Sequence, residues 1–332
     1  MTKKGILARF EDSMQHFELP PIHGKRDFKN NSLVSIDQLN QLGIEHIMTR
    51  AGNIKKNPGK YNKLAKGKLL YSLFFKSSTR TRFSTETAWM RLGGTTINLL
   101  GTSDSSMSKG ETMEHTLKMF GGYEPEFVAI RTDEEYVAHK GREMFPDISW
   151  INCGDGNNEH PTQGLLDTFT LFEKFEDLSS LKIAFVGDIK HGRTIKSLAK
   201  VLNIWGSKMV FVAPDSLHDK EEFDELEIAY DQRDISELST IVNEFDVIYA
   251  TRPQLERMSD FDKKLYSKGV YQITPELMKD SKALLMHPLP IDSSLLPEIH
   301  PDMDVDPRSI YFEQAANGLW VRMSLFSLLM GI

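Results

Sequence analysis

Short apolar runs alternate with longer amphipathic stretches from Lys68 onward. This alternation is typical of βα units, in which buried parallel strands are separated by helices that cover the sheet. The runs fall into two successive series, each with enough strands for a sheet of its own. The first series predicts strands at 69–75, 95–100, 126–131 and 148–153. The second predicts strands at 181–187, 208–214, 246–251 and 283–288.

The segments between these strands carry helical periodicity. Residues 81–92 and 111–120 predict helices, and Met113, Leu117 and Phe120 recur on one face of the second segment. In the second series, helices are predicted near 193–204, 236–244 and 275–281. We therefore predict an α/β fold of two doubly wound domains, each with a mainly parallel sheet flanked by helices, joined by interdomain helices.

Two segments predict the helices that join the domains. Pro161 suits the first turn of a helix, and the apolar residues of HPTQGLLDTFTLFEKF follow it with helical spacing. The last segment, from Ala315 onward, is apolar on a broad face and needs a partner surface. We expect one domain at 1–160, with the C-terminal helix 316–332 packing back on it, and a second domain at 161–315.

The region before the first strand carries weaker patterns. Residues 27–52 predict a helix that has Ser35 as its N-cap. A basic segment, 53–68, follows this helix. We assign both to the first domain.

Composition restricts the class of partner. The 332 residues suffice for about two domains, and 40 Lys and Arg against 47 Asp and Glu give a net charge of −7. This balance argues against nucleic acid or an anionic membrane as the main partner. Cys153 is the one cysteine, so neither an intrachain disulfide nor a cysteine metal cage can form. With no apolar run of signal-peptide or membrane-spanning length, we expect a cytoplasmic protein.

The first chemical motif is the run Ser78-Thr79-Arg80-Thr81-Arg82, where a predicted strand gives way to a helix. The free N–H groups of a helix start, together with hydroxyls and arginines, favour an anion such as an acyl phosphate. The alternative is a serine N-cap followed by solvated arginines.

A second motif, residues 154–163, also follows a strand and precedes a helix. Because ligands gather at the carboxyl edge of open α/β sheets, His160 and Gln163 can face the same crevice as the first motif. The alternative for His160 is a helix-capping or core histidine. No second histidine or acidic ligand stands four residues on, so the motif does not predict a metal site.

Three further motifs end strands of the second series. Arg193 near a helix start fits an anion clamp better than a dinucleotide turn, since neither G-x-G-x-x-G nor G-x-x-x-x-G-K-[ST] occurs. Arg252 and Gln254 leave a strand for a long loop. In 287–290 the prolines prevent a helix and leave carbonyls free to accept hydrogen bonds from an amide.

The motifs STRTR, SxxKGE (106–111), HPTQ, GDxKxGRT, TRxQxER and HPLP follow one another along the chain, within a match that runs from about Phe74 to Arg322. In these motifs the chain resembles the aspartate/ornithine carbamoyltransferase family. HPLP and TRPQ are similar to the aspartate-specific members, whereas ornithine relatives typically carry H-C-L-P and S-M-G. The resemblance implies transfer of the carbamoyl group of carbamoyl phosphate to L-aspartate, an early step of pyrimidine biosynthesis, with a carbamoyl phosphate-binding first domain and an aspartate-binding second domain.

The resemblance also implies a set of site residues and an assembly. Ser106 and Lys109 belong to a loop that in the family enters the neighbouring subunit's site, so the active unit is expected to be a homotrimer. For Lys109 alone, an exposed loop lysine is the alternative. Aspartate is expected at Lys109, Arg193, Arg252 and Gln254. Carbamoyl phosphate is expected at Ser78, Thr79, Arg80, Thr81, Arg131, His160 and Gln163, with main-chain carbonyls of Leu289 and Pro290 holding its amide.

The implied chemistry rests on electrostatics. Attack by the uncharged amino group builds negative charge on the carbamoyl oxygen, which Arg80, Thr81 and His160 are expected to stabilise, with Lys109 as a further catalytic residue. The motifs contain no nucleophile–base pair, so we expect no covalent intermediate, no metal and no organic cofactor. The chemistry leaves open whether separate regulatory subunits bind.

Two departures from the family concern the amino-acid side of the site. Ile291 follows HPLP where an arginine is usual, and 292–297 is longer than typical. Lys76 stands where bacterial members commonly have a glutamate that helps to hold the domains closed. The alternatives are therefore a carbamoyltransferase for another acidic amine and a catalytically silent homologue that binds the ligand.

Overall fold

The computed structural model describes residues 19–101, 106–255, 257–292 and 296–332. It contains two sheets in which all paired strands are parallel. The first sheet has the order β2-β1-β3-β4, with β1 Leu69–Phe74, β2 Thr95–Leu100, β3 Phe127–Thr132 and β4 Ser149–Asp155. The second has the order β7-β6-β5-β8-β9, with β5 Lys182–Val186, β6 Lys208–Val212, β7 Asp231–Arg233, β8 Val247–Ala250 and β9 Leu284–Met286.

Helices connect and cover these strands. Within the described ranges the α-helices are α1 Gln41–Lys56, α2 Thr79–Arg91, α3 Met113–Gly121, α4 Val137–Met144, α5 Pro161–Lys174, α6 Arg193–Trp205, α7 Lys220–Glu225, α8 Leu238–Ile241, α9 Asp260–Ser267 and α10 Tyr311–Leu329. The predicted fold class is confirmed: each sheet is flanked by helices, and α5 carries the chain from one sheet to the other. None of the described helices has both the length and the apolar character to cross a membrane.

The eight strands predicted from the sequence are all present, with small differences at their ends. The helix predicted near 275–281 is wrong, because those residues form turns whose N–H groups bond to carbonyls at mixed spacings. The helix predicted at 236–244 is the short α8 flanked by 3₁₀ turns. Helix α9 was not predicted. The C-terminal helix begins at Tyr311, earlier than the predicted 316.

The N-terminal helix also differs from its prediction. Ser35 caps only a 3₁₀ turn, Ile36–Gln38, because the Gln38 side chain accepts from the backbone N–H groups of Val34 and Ser35 and tightens the turn. Helix α1 then begins at Gln41 with Asn40 as its N-cap, whose side chain accepts from the Gly43 N–H. The segment before Leu19 lies outside the described residues.

Both faces of the first sheet are apolar, as expected for a parallel sheet covered on two sides. Alternate residues such as Leu70 and Phe127 face α1, α2, α5 and α10, whereas Tyr71 and Val128 face α3 and α4. Trp89 packs between Phe127 and Phe326 with ring centroids 4.9 Å apart in both pairs. Helix α10 therefore packs back on the first sheet.

Helices α5 and α6 cross at a glycine, which brings the two sheets close together. A Cβ on Gly164 would lie 2.9 Å from the backbone carbonyl carbon and oxygen of Ser197. Near the same crossing, the Ser197 hydroxyl accepts from the His160 N–H at 2.9 Å. The absence of a side chain at Gly164 is thus what lets the two helices approach.

We predict that Gly164→Ala destabilises the protein by about 1–3 kcal/mol, because its methyl group would press on backbone atoms that cannot rotate away. Gly52→Ala in α1 is the matched control, since a Cβ there meets nothing within 4 Å. It is expected to stabilise the chain by about 0.5–1 kcal/mol through the helix propensity of alanine. Denaturant unfolding measures both changes, and equal stability of the two variants would contradict the close crossing.

Candidate active site

A cavity of about 580 Å³ opens where the carboxyl ends of the two sheets meet. Its walls come from the segments that follow β1, β3, β4, β5, β8 and β9, together with α10. This is the place where open α/β sheets bind ligands. The structure brings together twelve of the residues predicted from the sequence: Ser78, Thr79, Arg80, Thr81, Arg131, His160, Gln163, Arg193, Arg252, Gln254, Leu289 and Pro290.

The start of α2 forms one wall. Ser78 occupies the N-cap position, but its hydroxyl makes no capping hydrogen bond, so the simple N-cap interpretation of this motif does not apply. Thr79, Arg80 and Thr81 follow in the first turn, where backbone N–H groups lack partners within the helix. Burial lowers the pKa of Arg80. The first turn of α2 thus combines hydroxyls, free N–H groups and a partly desolvated guanidinium.

Arg131, near the end of β3, lies deep in the cavity. Its Nη1 donates to the Cys153 carbonyl at 3.0 Å, whereas its Nε is buried without a hydrogen-bond partner among the described residues. Burial first, and then the neighbouring Arg193, lower the pKa of Arg131 to about 9. Gly154 gives this side chain room, because a Cβ there would lie 2.7 Å from Nη1. The guanidinium stays charged at neutral pH and lacks a full set of acceptors.

His160 stands at the N-cap of α5 and is buried at the cavity wall. Its Nε2 lies 3.3 Å from Thr81 Oγ1, and its Nδ1 lies 3.5 Å from Thr162 Oγ1. Burial first, and then the guanidinium groups of Arg131 and Arg193, lower the pKa of His160 well below its usual value. The imidazole is therefore neutral at physiological pH.

The hydrogen bonds of Thr162 are compatible with a proton on Nε2 of this neutral imidazole. Arg322 Nη2 donates to Thr162 Oγ1 at 2.9 Å, and a guanidinium can only donate. The threonine hydrogen can then turn towards Nδ1 of His160, and the ring proton in that case lies on Nε2, on the Thr81 side. In this tautomer His160 is an uncharged donor towards Thr81.

The acceptor side of the cavity comes from Gln163 and residues 287–290. Gln163 is buried, and its Nε2 donates to Asp167 at 2.8 Å. The imidazole of His287 accepts from the Leu289 N–H at 2.8 Å and bonds to Glu298 at 2.9 Å through its other nitrogen. These contacts hold the loop of Leu289 and Pro290 at the cavity wall.

Cations from the second sheet complete the cavity. Arg193 Nη1 donates to the Gly156 carbonyl at 2.7 Å, and Arg252 lies 3.7 Å from the Asp292 carboxylate. The Gln254 backbone N–H donates to buried Asp188 at 3.0 Å, which fixes the start of its loop. Several guanidinium groups therefore converge from both sheets, as two anionic ligands require.

Two residues predicted from the family resemblance lie elsewhere. Ser106 and Lys109 belong to an exposed 3₁₀ helix, Ser106–Lys109, and neither lines the cavity of its own chain. This placement leaves their role in a neighbouring subunit a prediction.

The sequence reasoning missed other residues at the cavity wall. His191 and Arg257 lie within the GDxKxGRT and TRxQxER motifs, so their position beside predicted site residues could have indicated them. Arg322 had only one signal, a charge in a strongly apolar C-terminal segment. Further wall residues that were missed are Ser77, Ser84, Asp133, Asn157, Thr194, His287 and Gln314.

The two departures from the family pattern lie at the cavity rim and beside the second core. Lys76 pairs with Asp133 at 2.9 Å, and both side chains are more than half exposed, at 54% and 68%. Ile291 is partly buried against the core of the second sheet. Such an exposed pair contributes little stability, so Lys76 does not replace an interdomain bridge by this contact.

Cys153 is an inert core residue. It is fully buried, with its Sγ 4.0 Å from Thr85 Oγ1, and burial raises the pKa of its thiol. Such a thiol is not an activated nucleophile. In the part of the chain that the structure describes, no group of three or more His, Cys, Asp or Glu side chains could hold a metal ion.

Comparison with known proteins gives matches along most of the chain. Residues 31–173 match the family model described as aspartate/ornithine carbamoyltransferase, carbamoyl-P binding domain. Residues 179–329 match the model described as aspartate/ornithine carbamoyltransferase, Asp/Orn binding domain. The aspartate carbamoyltransferase catalytic subunit of Thermococcus onnurineus is 36% identical over 314 residues, which cover 92% of this chain and 99% of that protein.

Solved structures give the same result. The aspartate transcarbamoylase of Trypanosoma cruzi in complex with N-(phosphonacetyl)-L-aspartic acid superposes with a TM-score of 0.81 at 28% identity, covering 94% of this chain and 99% of that one. The catalytic subunit of M. jannaschii aspartate transcarbamoylase has a TM-score of 0.80 at 35% identity, covering 90% of this chain and 97% of that one.

We predict that inorganic phosphate binds in the cavity and raises the melting temperature, because it supplies the acceptors that Arg80 and Arg131 lack. Arg80→Ala is expected to remove most of this shift. Arg91→Ala is the matched control, since Arg91 lies exposed at the other end of the same helix. A thermal scan with and without phosphate measures the shift, and an unchanged shift in Arg80→Ala would contradict the anion site.

Proposed function

Because the chain belongs to the aspartate/ornithine carbamoyltransferase family, we propose that it transfers the carbamoyl group of carbamoyl phosphate to L-aspartate. The products are N-carbamoyl-L-aspartate and phosphate, an early step of pyrimidine biosynthesis. The observation that carries this proposal is the convergence of guanidinium groups from both sheets on one cavity, beside a neutral histidine and two sets of amide acceptors.

Carbamoyl phosphate occupies the side of the cavity formed by the first sheet. Its phosphate binds the first turn of α2, at Ser78, Thr79, Arg80 and Thr81, and Arg131 supplies a second guanidinium. The unpartnered Nε of Arg131 supports this role, since a buried donor without an acceptor is costly until a ligand provides one.

The carbamoyl group lies between a donor side and an acceptor side. Its carbonyl oxygen faces the Nε2–H of His160 together with Arg80 and Thr81. Its amide donates to Gln163 and to the main-chain carbonyls of Leu289 and Pro290. This arrangement orients the carbonyl carbon towards the second substrate, a positioning effect that contributes strongly to rate.

The reaction proceeds by direct attack of the uncharged α-amino group of aspartate on the carbonyl carbon. A C–N bond forms, negative charge builds on the carbonyl oxygen, and the C–O bond to phosphate then breaks. Arg80, Thr81 and His160 stabilise that charge, and loss of such a donor costs roughly 10²–10³ in rate. The departing phosphate accepts the proton that the amino group loses, so no enzyme nucleophile takes part.

Aspartate binds on the side formed by the second sheet. Arg193, Arg252 and Gln254 grip its carboxylates, and Lys109 reaches the same site from a neighbouring subunit. Arg193 and Arg252 both line the cavity, which supports this role, and their present partners are the Gly156 carbonyl and Asp292. Substrate carboxylates would compete with these partners.

The active unit is proposed to be a homotrimer. Strand β2 is an edge strand of the first sheet, with Ile97 and Leu100 exposed, and Phe83 and Met90 of the adjoining α2 are exposed as well. An apolar surface of this kind beside an open sheet edge supports a contact with a second copy of the chain. Such a contact would bring Lys109 to the neighbouring cavity.

The division of the chain and its location also belong to this proposal. The first domain comprises 1–160 with the C-terminal helix, and the second comprises 161–315. The separate apolar clusters around the two sheets support two domains, with Leu165, Leu166 and Phe169 of α5 packing in the cluster of the first sheet. A cytoplasmic location suits a pathway that uses soluble metabolites.

We predict that Arg80→Ala lowers kcat by about 10²–10³, because it removes charge stabilisation at the carbonyl oxygen. Arg252→Ala should instead raise KM for aspartate by about tenfold or more, because it removes a carboxylate partner. Arg233→Ala, on the exposed edge strand β7, is the control. Formation of N-carbamoyl-aspartate measures all three, with ornithine and glutamate as competing amines, and near-normal turnover by Arg80→Ala would refute the assignment.

Mixing two inactive variants tests the shared site. Lys109→Ala and Arg80→Ala chains, dissociated and reassembled together, should regain activity, since about a quarter of the sites in random trimers would combine two intact contributions. Each variant reassembled alone is the control and stays inactive. Mixed trimers that form without regaining activity would contradict the donation of Lys109 between subunits.

A further inference from the structure

Asp167 lies behind the cavity as the centre of a buried hydrogen-bond network. It is fully buried in α5, one helical turn after Gln163. Its Oδ1 accepts from Gln163 Nε2 at 2.8 Å and from Gln314 Nε2 at 2.6 Å. Its Oδ2 accepts from the Tyr249 hydroxyl at 2.8 Å. One carboxylate therefore joins α5, β8 and α10.

The chemistry of a carboxylate dictates how both glutamines are turned. An ionised carboxylate has only acceptors, so each amide must direct its NH₂ group towards Asp167. The amide oxygen of Gln163 is then the end left for the cavity. A flipped Gln163 would place an oxygen against the carboxylate and a donor towards the ligand, which costs a buried hydrogen bond and adds repulsion.

Gln314, whose NH₂ group is also turned towards Asp167, connects this carboxylate to the loop at 287–290. The amide oxygen of Gln314 faces away from Asp167 and accepts from the His287 N–H at 2.9 Å. His287 in turn accepts from the Leu289 N–H through Nδ1. The loop that carries the carbonyl acceptors is thus tied to Asp167 through Gln314.

We propose that Asp167 is a positioning residue that makes the cavity selective for an acyl phosphate bearing an NH₂ group. It does so by keeping the oxygen of Gln163 turned to the cavity and, through Gln314, by holding the 287–290 loop in place. Asp167 touches neither substrate. This inference rests on the proposed function, because it assumes that carbamoyl phosphate is the ligand.

Selectivity between two ligands separates positioning from a general structural role. Acetyl phosphate has a methyl group where carbamoyl phosphate has NH₂, so it shares the phosphate and carbonyl contacts but cannot use the acceptors. A variant that merely loosens the fold weakens both ligands equally. A variant that misorients Gln163 weakens carbamoyl phosphate alone.

Two substitutions at the same position form the principal test. Asp167→Leu has no acceptor for the glutamine NH₂ groups, whereas Asp167→Asn can still present an oxygen to them while its own NH₂ faces the Tyr249 hydroxyl. We expect Asp167→Leu to reduce the preference for carbamoyl phosphate over acetyl phosphate by about tenfold. Asp167→Asn should retain that preference within about twofold.

Tyr249→Phe is the matched control, since it removes a buried hydrogen bond to the same carboxylate but leaves both glutamines bound. Its stability should fall while its preference stays within about twofold of the wild type. Gln314→Met removes the hydrogen bonds of this glutamine to both Asp167 and His287, leaves the Gln163–Asp167 bond in place, and serves if Asp167→Leu does not fold. It should also lower the preference, because it weakens the binding of carbamoyl phosphate but not that of acetyl phosphate.

Calorimetric titration of the whole protein with each ligand measures these preferences. Burial raises the pKa of Asp167 to about 7, so a buffer of about pH 8 keeps the carboxylate ionised. Equal losses for both ligands in Asp167→Leu or Gln314→Met, or an equal loss of preference in the asparagine and leucine variants, would overturn the inference. A wild-type protein that does not bind carbamoyl phosphate would instead overturn the proposed function.

Discussion

Repulsion among the guanidinium groups of the cavity is the constraint on which the site depends. Arg131 and Arg193 come together around Gly154, where a Cβ would lie 2.7 Å from one guanidinium and 3.4 Å from the other. Burial first, and then these neighbouring like charges, lower the pKa of Arg131 and of His160. The fold holds them with backbone carbonyls rather than with acids, which leaves the positive charge available to anions.

Helices α5 and α6, which cross each other, hold the site residues in place against this repulsion. Helix α5 carries His160, Gln163 and Asp167 at helical spacing, so a donor, an acceptor and the carboxylate that orients it share one stretch of the helix. The crossing of α5 and α6 at Gly164 fixes the distance between the two sheets. The site is therefore positioned by helix geometry and not by flexible loops alone.

Helix α6 contributes the matching cations. Arg193 and Lys196 donate to the carbonyls of Gly156 and Asn157, and Lys200 pairs with buried Glu159 at 2.8 Å. These side chains follow one face of α6 and hold the segment that leads into α5. Burial lowers the pKa of Lys200, but the neighbouring carboxylates of Glu159 and Asp37 raise it by more, so its pKa is raised overall. The ion pair therefore persists at neutral pH. The cationic side chains of α6 thus also hold the second sheet to the segment that follows the first sheet.

The sequence by itself determined every described strand except β7, and the order of the motifs. It also determined Arg80, His160 and Arg193, because each of these residues stands at a local transition from strand to helix. It could not determine the partners of Asp167 and Arg322. Asp167 meets Gln314 across 147 positions, and Arg322 meets Thr162 across 160. Such pairs have no local signature, since only the packing of α10 against α5 brings their donors and acceptors within reach.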